Sequence, residues 1–385
     1  MPPVPDLPLL VFGPRSLDYD FGPSHPLTPR RFGPGIDLLR ALGAEPGLAP
    51  EPAADDELEW CHTARYVEVV KHFSVAATTA GWLDADGGIG VGGDNPPFAG
   101  MHEAGAAVAG GSIRAVEAIL RGDIEHALHP GGGLHHAMPS RASGFCIYDD
   151  PALAIARVRR EGLRVLYIDL DVEAIHAADP GVLTVSFHEN GRYLFPGTGF
   201  ADEIGEGPAA GSVVNVPLPP DTGDDAWLAA VTSLVPELAD AFGPDLVVSQ
   251  HGADSHAWDP LAHLRNTTTA MGAAARLVHD VAHQHAGGRW LATGGGGYDV
   301  YRVVPRAWSL VWLAAAHRDV PALTPEAWRE RWAEEAARYG QAPLPRTFDD
   351  PPTPTDPATT RSIERTVASV RGAVLPLLRA ARAPG

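Results

Sequence analysis

Histidine, aspartate and tyrosine recur in this chain just after short apolar runs, and together they describe one kind of chemistry. Adjacent His135 and His136 follow the run at 126–129, and Asp169 and Asp171 close the run at 163–171. Asp254 follows 245–250 between His251 and His256, and Tyr298 follows 289–293 behind four glycines. Carboxylates at two strand ends can hold a divalent ion, a neighbouring imidazole can take a proton from water, and a phenol can donate to a developing oxyanion. Glycines beside them let backbone approach a substrate closely. The set points to metal-assisted hydrolysis by an amidase or esterase.

Competing motifs fail on inspection. "GIGVGG" at 88–93 has the spacing of a dinucleotide loop, yet Asn95, Pro96 and Pro97 stand where its helix should begin. "GGGG" at 294–297 lacks the Lys and Ser/Thr of a phosphate loop, and neither G-x-S-x-G nor H-E-x-x-H occurs.

Residues so far apart in sequence need a scaffold that brings them to one rim. "LRVLYIDLD" (163–171), "GVLTVSF" (181–187), "SVVNVPL" (212–218), "DLVVSQHGAD" (245–254) and "RWLATGGGGY" (289–298) read as buried strands, bounded by Gly, Pro or Asp. Helical segments are expected near 104–121, 151–161, 224–242 and 267–285. This alternation predicts an α/β fold, a single domain with a mostly parallel central sheet flanked by helices, whose ligands bind beyond the C-terminal strand ends. We assign residues 1–345 to that domain. Residues 346–385 read as a Pro-rich linker and a C-terminal helix, at about 359–382, packed peripherally.

Composition narrows the function classes. The 385 residues are 45% hydrophobic, without a run long enough to span a bilayer, and the N-terminus lacks the basic start of a signal peptide. A cytoplasmic protein with no membrane partner is expected. The 48 acidic and 29 basic side chains leave a net charge of −19, which repels nucleic acid and favours cationic partners. Cys61 and Cys146 are too few for a disulfide framework, so a metal would be held by His, Asp or Glu.

Six ordered blocks resemble the histone deacetylase superfamily, most closely its bacterial acetoin-utilisation branch, which has the arginase/deacetylase fold. They are "YDFGPSHPLTPRR" (19–31), "GDNPPFAGMHEAGAAVAGGSIRA" (93–115), "GGLHHAMPSRASGFCIYDD" (132–150), "VLTVSFHENGRYLFPGTG" (182–199), "QHGADSHAWDPL" (250–261) and "TGGGGYDVYRVVPRAW" (293–308). The resemblance implies a zinc-dependent deacetylase acting on an acyl-lysine protein or a small acylated amine, with Zn²⁺ as cofactor and a structural monovalent cation as a further ion. It implies that His136 is the general base, His135 its electrostatic or acid partner, Asp169 the carboxylate that orients His135, and Tyr298 the group that polarises the acyl carbonyl. Asp171 and Asp254 match two metal ligands. Phe145 and Phe195 match the aromatic walls of the acyl-lysine tunnel, Asp94 the rim carboxylate that holds substrate backbone, and Arg31 an arginine near the inner cavity. Read without the resemblance, Phe145 and Phe195 serve equally as core aromatics and Asp94 as a turn cap. His188 and His256 are expected in supporting or surface positions, and His102 facing solvent.

The resemblance breaks at one place. The family strand runs on as D-x-D-x-H-H-G-D-G, its first His being the third zinc ligand, whereas this chain reads Asp169-Leu170-Asp171-Val172-Glu173-Ala174-Ile175-His176. Inserting His-His-Gly-Asp-Gly-Val after Val172 brings everything downstream back into register. The expectation is a deacetylase impaired or inactive for want of a ligand, or a non-catalytic acyl-lysine-binding or scaffold protein on the same fold. Two weak replacements exist. Glu173 lies two residues beyond Asp171, on the same side of an extended strand end, and His176 follows. With Asp171 and Asp254, Glu173 would make an all-carboxylate site for Mg²⁺, Ca²⁺ or Mn²⁺.

Overall fold

Helices cover both faces of the sheet, so its strands read as near-continuous apolar, β-branched runs rather than as alternating ones. The computed structural model describes residues 7–77, 85–170, 179–195 and 197–382. Its strands are β1 (Leu9–Val11), β2 (Pro46–Leu48), β3 (His126–His129), β4 (Val165–Asp169), β5 (Val182–Glu189), β6 (Val213–Leu218), β7 (Leu246–Gln250) and β8 (Trp290–Thr293). They form one sheet in the order β2-β1-β3-β8-β7-β4-β5-β6, and each pairing between them is parallel. The expected α/β fold with a central parallel sheet is therefore the observed one.

The α-helices are α1 (Phe32–Ala41), α2 (Asp55–Leu58), α3 (Ala64–Ala76), α4 (Met101–Arg121), α5 (Asp150–Arg159), α6 (Asp224–Phe242), α7 (Thr268–Ala286), α8 (Val304–Ala315), α9 (Glu326–Arg338) and α10 (Pro357–Arg382). The sequence reading placed α4 to α7 and α10 closely but overran the strands β4, β7 and β8 at their C-terminal ends, where the backbone leaves the ladder to present polar residues. It did not place β1, β2, α1, α2, α3, α8 or α9. In α1 the helix contains Gly33, Pro34 and Gly35, ordinarily breakers; a Cβ on Gly35 would lie 2.6 Å from the Trp308 ring, so that close packing requires the glycine. In α8 all 12 residues are buried, so no polar face marks a helical period.

The C-terminal stretch is tied into this core. Along α10, Ile363, Val367, Val370, Val374, Leu375 and Leu378 are buried, and the helix packs on α6 and β6. Ahead of it, Asp350 Oδ1 accepts from Arg306 Nη1 of α8 at 2.8 Å, and Asp350 Oδ2 accepts from His256 Nε2 at 3.0 Å. His256 Nδ1 in turn accepts from the Trp258 N–H at 3.0 Å, which fixes the ring's tautomer. The loop after β7, which carries Asp254, is thereby anchored to the tail. Among the described residues, no helix is long and apolar enough to cross a membrane.

Arg306 is 0% exposed, so removing its counter-charge strands a buried cation. Asp350→Ala is expected to destabilise the fold by about 3–5 kcal/mol, read from the denaturant midpoint; a change within about 0.5 kcal/mol would rule out the pair as an anchor. Burial alone would push the Asp350 carboxyl up, but hydrogen bonds from His256 and Arg306, with the Arg306 charge and the Thr268 hydroxyl, hold it well below its ordinary value. Its stabilisation is therefore complete above the unfolded value, about pH 4, and is lost as acid titrates the folded group.

Candidate active site

Four neighbouring strands at the centre of the sheet, β3, β8, β7 and β4, end on one edge and release the loops that carry the polar residues. Asp169 is the last residue of β4, His135 and His136 follow β3, Asp254 follows β7 and Tyr298 follows β8.

Two adjacent imidazoles are differentiated by what surrounds them. His135 and His136 have ring centres 4.3 Å apart. His135 Nδ1 is ion-paired with Asp169 Oδ2 at 2.9 Å, both groups being buried, with the Tyr167 hydroxyl 3.3 Å from the same nitrogen. Burial by itself would lower the His135 pKa, but the charge and hydrogen bond of Asp169 outweigh it and raise the value. His136 is lowered well below the ordinary imidazole range, first by burial and then by repulsion from His135. One ring is held towards the cation and the other neutral, the division that separates an acid from a base.

The backbone entering this pair is held by a carboxylate to which the sequence reading gave no role. Asp150 Oδ1 accepts from the Leu134 N–H (2.8 Å), and Asp150 Oδ2 from the Gly133 N–H (3.2 Å) and the Ser112 hydroxyl (2.5 Å). Ser112 Oγ in turn lies 2.8 Å from His129 Nδ1. The available signal was the pair Asp149-Asp150, of which only Asp149 caps α5, through the Ala152 N–H at 2.7 Å.

Asp94, His136, Gly144, Phe145, Phe195, Asp254 and Tyr298 line one cleft, open to solvent, with ≈ 640 Å³ of empty volume. Phe145 has φ 68, a conformation strained for an aromatic residue. It is held there by Tyr19, whose hydroxyl donates to the Phe145 carbonyl at 2.8 Å and accepts from the Ile147 N–H at 2.9 Å. The Phe145 ring meets Tyr298 edge-on at 5.9 Å and the His25 ring at 4.6 Å. Opposite, Phe195 is 44% exposed and contacts His136 edge-on at 5.4 Å. Its loop is tied down by His188, whose Nε2 donates to the Gly199 carbonyl at 2.8 Å while Nδ1 accepts from Ser186 at 2.9 Å. Asp94 stands exposed at the rim, its carbonyl 3.3 Å from His25 Nε2.

Asp254 is the described candidate for holding a cation. It is buried on the cleft lining and so close to Gly296 that a Cβ there would lie 1.9 Å from Asp254 Oδ2, a cradle only glycine leaves open. A second carboxyl, Asp259, is pushed up to about 8 by burial and by the charge of Asp254, and accepts the Tyr298 N–H at 2.9 Å. Crowded carboxyls with oxygen donors fit a divalent cation. Asp171, and with it the alternatives Glu173 and His176, lies outside the described residues.

Two further residues lie outside the cleft lining. Arg31 is buried, donates through Nη1 to the Gly295 carbonyl at 2.6 Å, and lines a separate cavity of ≈ 400 Å³ with Tyr19, His129 and Leu134. His102 does not face solvent as expected: it is half-buried, with Nδ1 3.0 Å from the Tyr148 hydroxyl, because α4 turns that face onto the segment leading into α5.

Gly144, at φ +49, is wedged between His136 and Phe195: a Cβ would lie 2.6 Å from His136 Cδ2 and 2.9 Å from Phe195 Cε1. Gly144→Ala is expected to cost about 1–2 kcal/mol for its backbone conformation alone, seen in the denaturant midpoint, and to shift the His136 ring resonances while those of His135, braced by Asp169, hold. Unchanged midpoint and resonances would show the glycine to be dispensable.

Comparison with known proteins bears on the whole of this arrangement. The family model described as the histone deacetylase domain matches residues 25–315. The chain is similar to the acetoin utilization protein AcuC of Bacillus subtilis (strain 168), 39% identical over 384 residues, covering 95% of this chain and 97% of that one. It is also similar to AcuC of Staphylococcus aureus (strain MSSA476), 36% identical over 359 residues, covering 88% and 89%. Among solved structures, an HDAC homolog complexed with SAHA superposes with TM-score 0.82 at 26% identity, over 95% of this chain and 100% of that one. An HDAC homolog from Aquifex aeolicus superposes with TM-score 0.79 at 26% identity, over 94% and 100%. With its rim residues gathered on an all-parallel sheet and its family match spanning most of its length, this chain belongs to the histone deacetylase family.

Proposed function

We propose that the chain is a metal-dependent deacetylase by descent, hydrolysing the amide of an Nε-acyl-lysine or a similar small acylated amine in the cytoplasm, and that it is weakened by the missing ligand segment. The observation that carries this reading is the convergence of Asp94, His136, Phe145, Phe195, Asp254 and Tyr298 on one cleft. Aromatic walls suit the alkyl stem of an acylated lysine, and the negative net charge suits a substrate whose product is a cationic amine.

In this reading Asp254 and Asp171 hold the ion, which in the family is Zn²⁺ and in an all-carboxylate site would be a harder cation. When bound, it supplies Lewis acidity towards the acyl carbonyl. Neutral His136 takes the proton of the attacking water and passes it to the leaving amine, while His135, kept towards the cation by Asp169, offsets the negative charge that develops. Tyr298, fixed at its backbone by Asp259, donates its hydroxyl to the oxyanion. Phe145 and Phe195 align the acylated stem, and Asp94 receives substrate backbone at the rim.

Catalytic zinc ordinarily has three protein ligands, and even a group that only orients a ligand is worth about 10–100-fold. Turnover of an acetyl-lysine peptide is therefore expected to be more than about 100-fold below that of a version with His-His-Gly-Asp-Gly-Val inserted after Val172, while peptide binding persists in both. Full turnover without the insertion would defeat the reading of the gap. Absence of binding and turnover in both versions would defeat the deacetylase reading, and binding without turnover in both would favour the non-catalytic alternative.

The acid limb of kcat/KM for the restored version is expected below the ordinary histidine value of about 6.5, because a base held neutral loses activity only where it protonates. A limb at or above that value would exclude His136 as the base. Tyr298→Phe in the restored version should lower kcat by about 10²–10³ with the fold intact; an unchanged kcat would remove the hydroxyl from the mechanism.

A further inference from the structure

The opposite edge of the sheet carries four imidazoles that the cleft does not use. His126 is the first residue of β3, so it stands at the N-terminal end of a strand whose C-terminal end leads to His135 and His136. His279 and His283 are one turn apart on α7 and share a face. His317 follows α8 in the left-handed conformation, at φ 53. One ring nitrogen from each lies within 4.8 Å of those of the other three. Among the described residues, no other group of three or more His, Cys, Asp or Glu side chains gathers this closely.

Their arrangement is close to a regular tetrahedron. The ring centres of His126 lie 5.1, 5.1 and 5.2 Å from those of His279, His283 and His317. The other pairs are His279–His283 at 4.5 Å, His279–His317 at 4.6 Å and His283–His317 at 5.1 Å. Four imidazoles bound through nitrogen at about 2.0–2.1 Å around one ion would have ring centres roughly 5 Å apart. Rings merely stacking for contact have no reason to make all six separations similar.

Two rings are oriented as ligands are. His126 Nδ1 faces the Ala315 carbonyl at 2.8 Å and can only donate to it, leaving Nε2 as a bare acceptor. That Nε2 is buried with no hydrogen-bond partner, on a residue 4% exposed. His279 repeats the pattern: Nδ1 lies 3.3 Å from Asp280 Oδ1, and its buried Nε2 has no hydrogen-bond partner. A ring whose far nitrogen donates to a carbonyl or carboxylate is the usual state of a metal-bound histidine. An acceptor buried without a donor is otherwise a cost of about 1–3 kcal/mol. His283 and His317 are exposed, which gives an ion access from solvent.

We propose that His126, His279, His283 and His317 form a second metal site, tetrahedral and selective for a borderline divalent transition ion of the Zn²⁺ type, which pins β3, α7 and the end of α8 together at the sheet edge remote from the cleft. An all-imidazole donor set favours such ions over Mg²⁺ or Ca²⁺. The site holds whether or not the cleft is active.

The test uses the full chain, free of any polyhistidine tag and carrying Asp254→Asn to weaken the cleft's own cation site, dialysed against Co²⁺ alone and, separately, Zn²⁺ alone. Retention of one Co²⁺ per chain, with the intense visible absorption of four-coordinate cobalt(II), is expected. Zn²⁺ should raise the thermal midpoint, and EDTA should reverse the rise. Adding His283→Ala and His317→Asn should weaken binding by more than about 100-fold and abolish the midpoint shift. Both positions are exposed, and Asn tolerates the left-handed backbone at 317, so an unchanged far-UV circular dichroism spectrum separates lost ligation from lost fold. No retained cobalt, a six-coordinate spectrum, or equal binding by the histidine variant would each overturn the proposal.

Discussion

Because the paired strands of the sheet run in one direction, the loops beyond β3, β4, β7 and β8 leave from a single edge, and residues up to about 160 positions apart meet there. Parallel pairing is possible only when each strand returns through a crossover, and here the crossovers are largely the helices that bury the sheet on both faces. The same arrangement that fills the core therefore concentrates polar residues at one rim. A site on this scaffold needs no dedicated element, only suitable side chains in the first few residues beyond each strand.

A set of buried polar anchors one step behind the cleft turns that crowd into a defined geometry. Asp150 grips the backbone ahead of His135 and His136, Tyr19 holds Phe145 in its strained conformation, and His188 ties down the loop of Phe195. Asp259 fixes the backbone of Tyr298, and Asp350 links the loop after β7 to α8. Each anchor is buried or partly buried, where a hydrogen bond is electrostatically strong and an unmade one is costly. The dyad shows the benefit: neighbouring rings of one residue type are pushed in opposite directions, His135 up by Asp169 and His136 down by burial and by His135.

The two ends of the sheet also differ in donor chemistry. At the C-terminal end, carboxyls crowd until Asp259 is driven up to about 8, a charge state that welcomes a cation. At the N-terminal end four imidazoles gather, two of them already turned by an acceptor on the far nitrogen. Hard oxygens on one edge and borderline nitrogens on the other are different demands on an ion, and the strands keep them apart.

The periodicity and composition of single segments were enough to identify the parallel α/β fold and most of its elements, since a β-branched run or an amphipathic repeat is a local property. Residue types after the strands, with the family resemblance, were enough to nominate Asp94, His136, Phe145, Phe195, Asp254 and Tyr298 for one cleft. Elements without local contrast stayed hidden: α8 is buried all round, and α1 contains Gly33, Pro34 and Gly35, whose place in a helix makes sense only with Trp308 packed against Gly35. Tyr19 and Asp259 carry no sequence mark of their tasks, Asp150 only its place beside the capping Asp149, and nothing in the spacing of His126, His279, His283 and His317 announces that they meet. The partner of a polar side chain is set by distance in space, and that distance exists only once the strands have paired and the helices have closed over them.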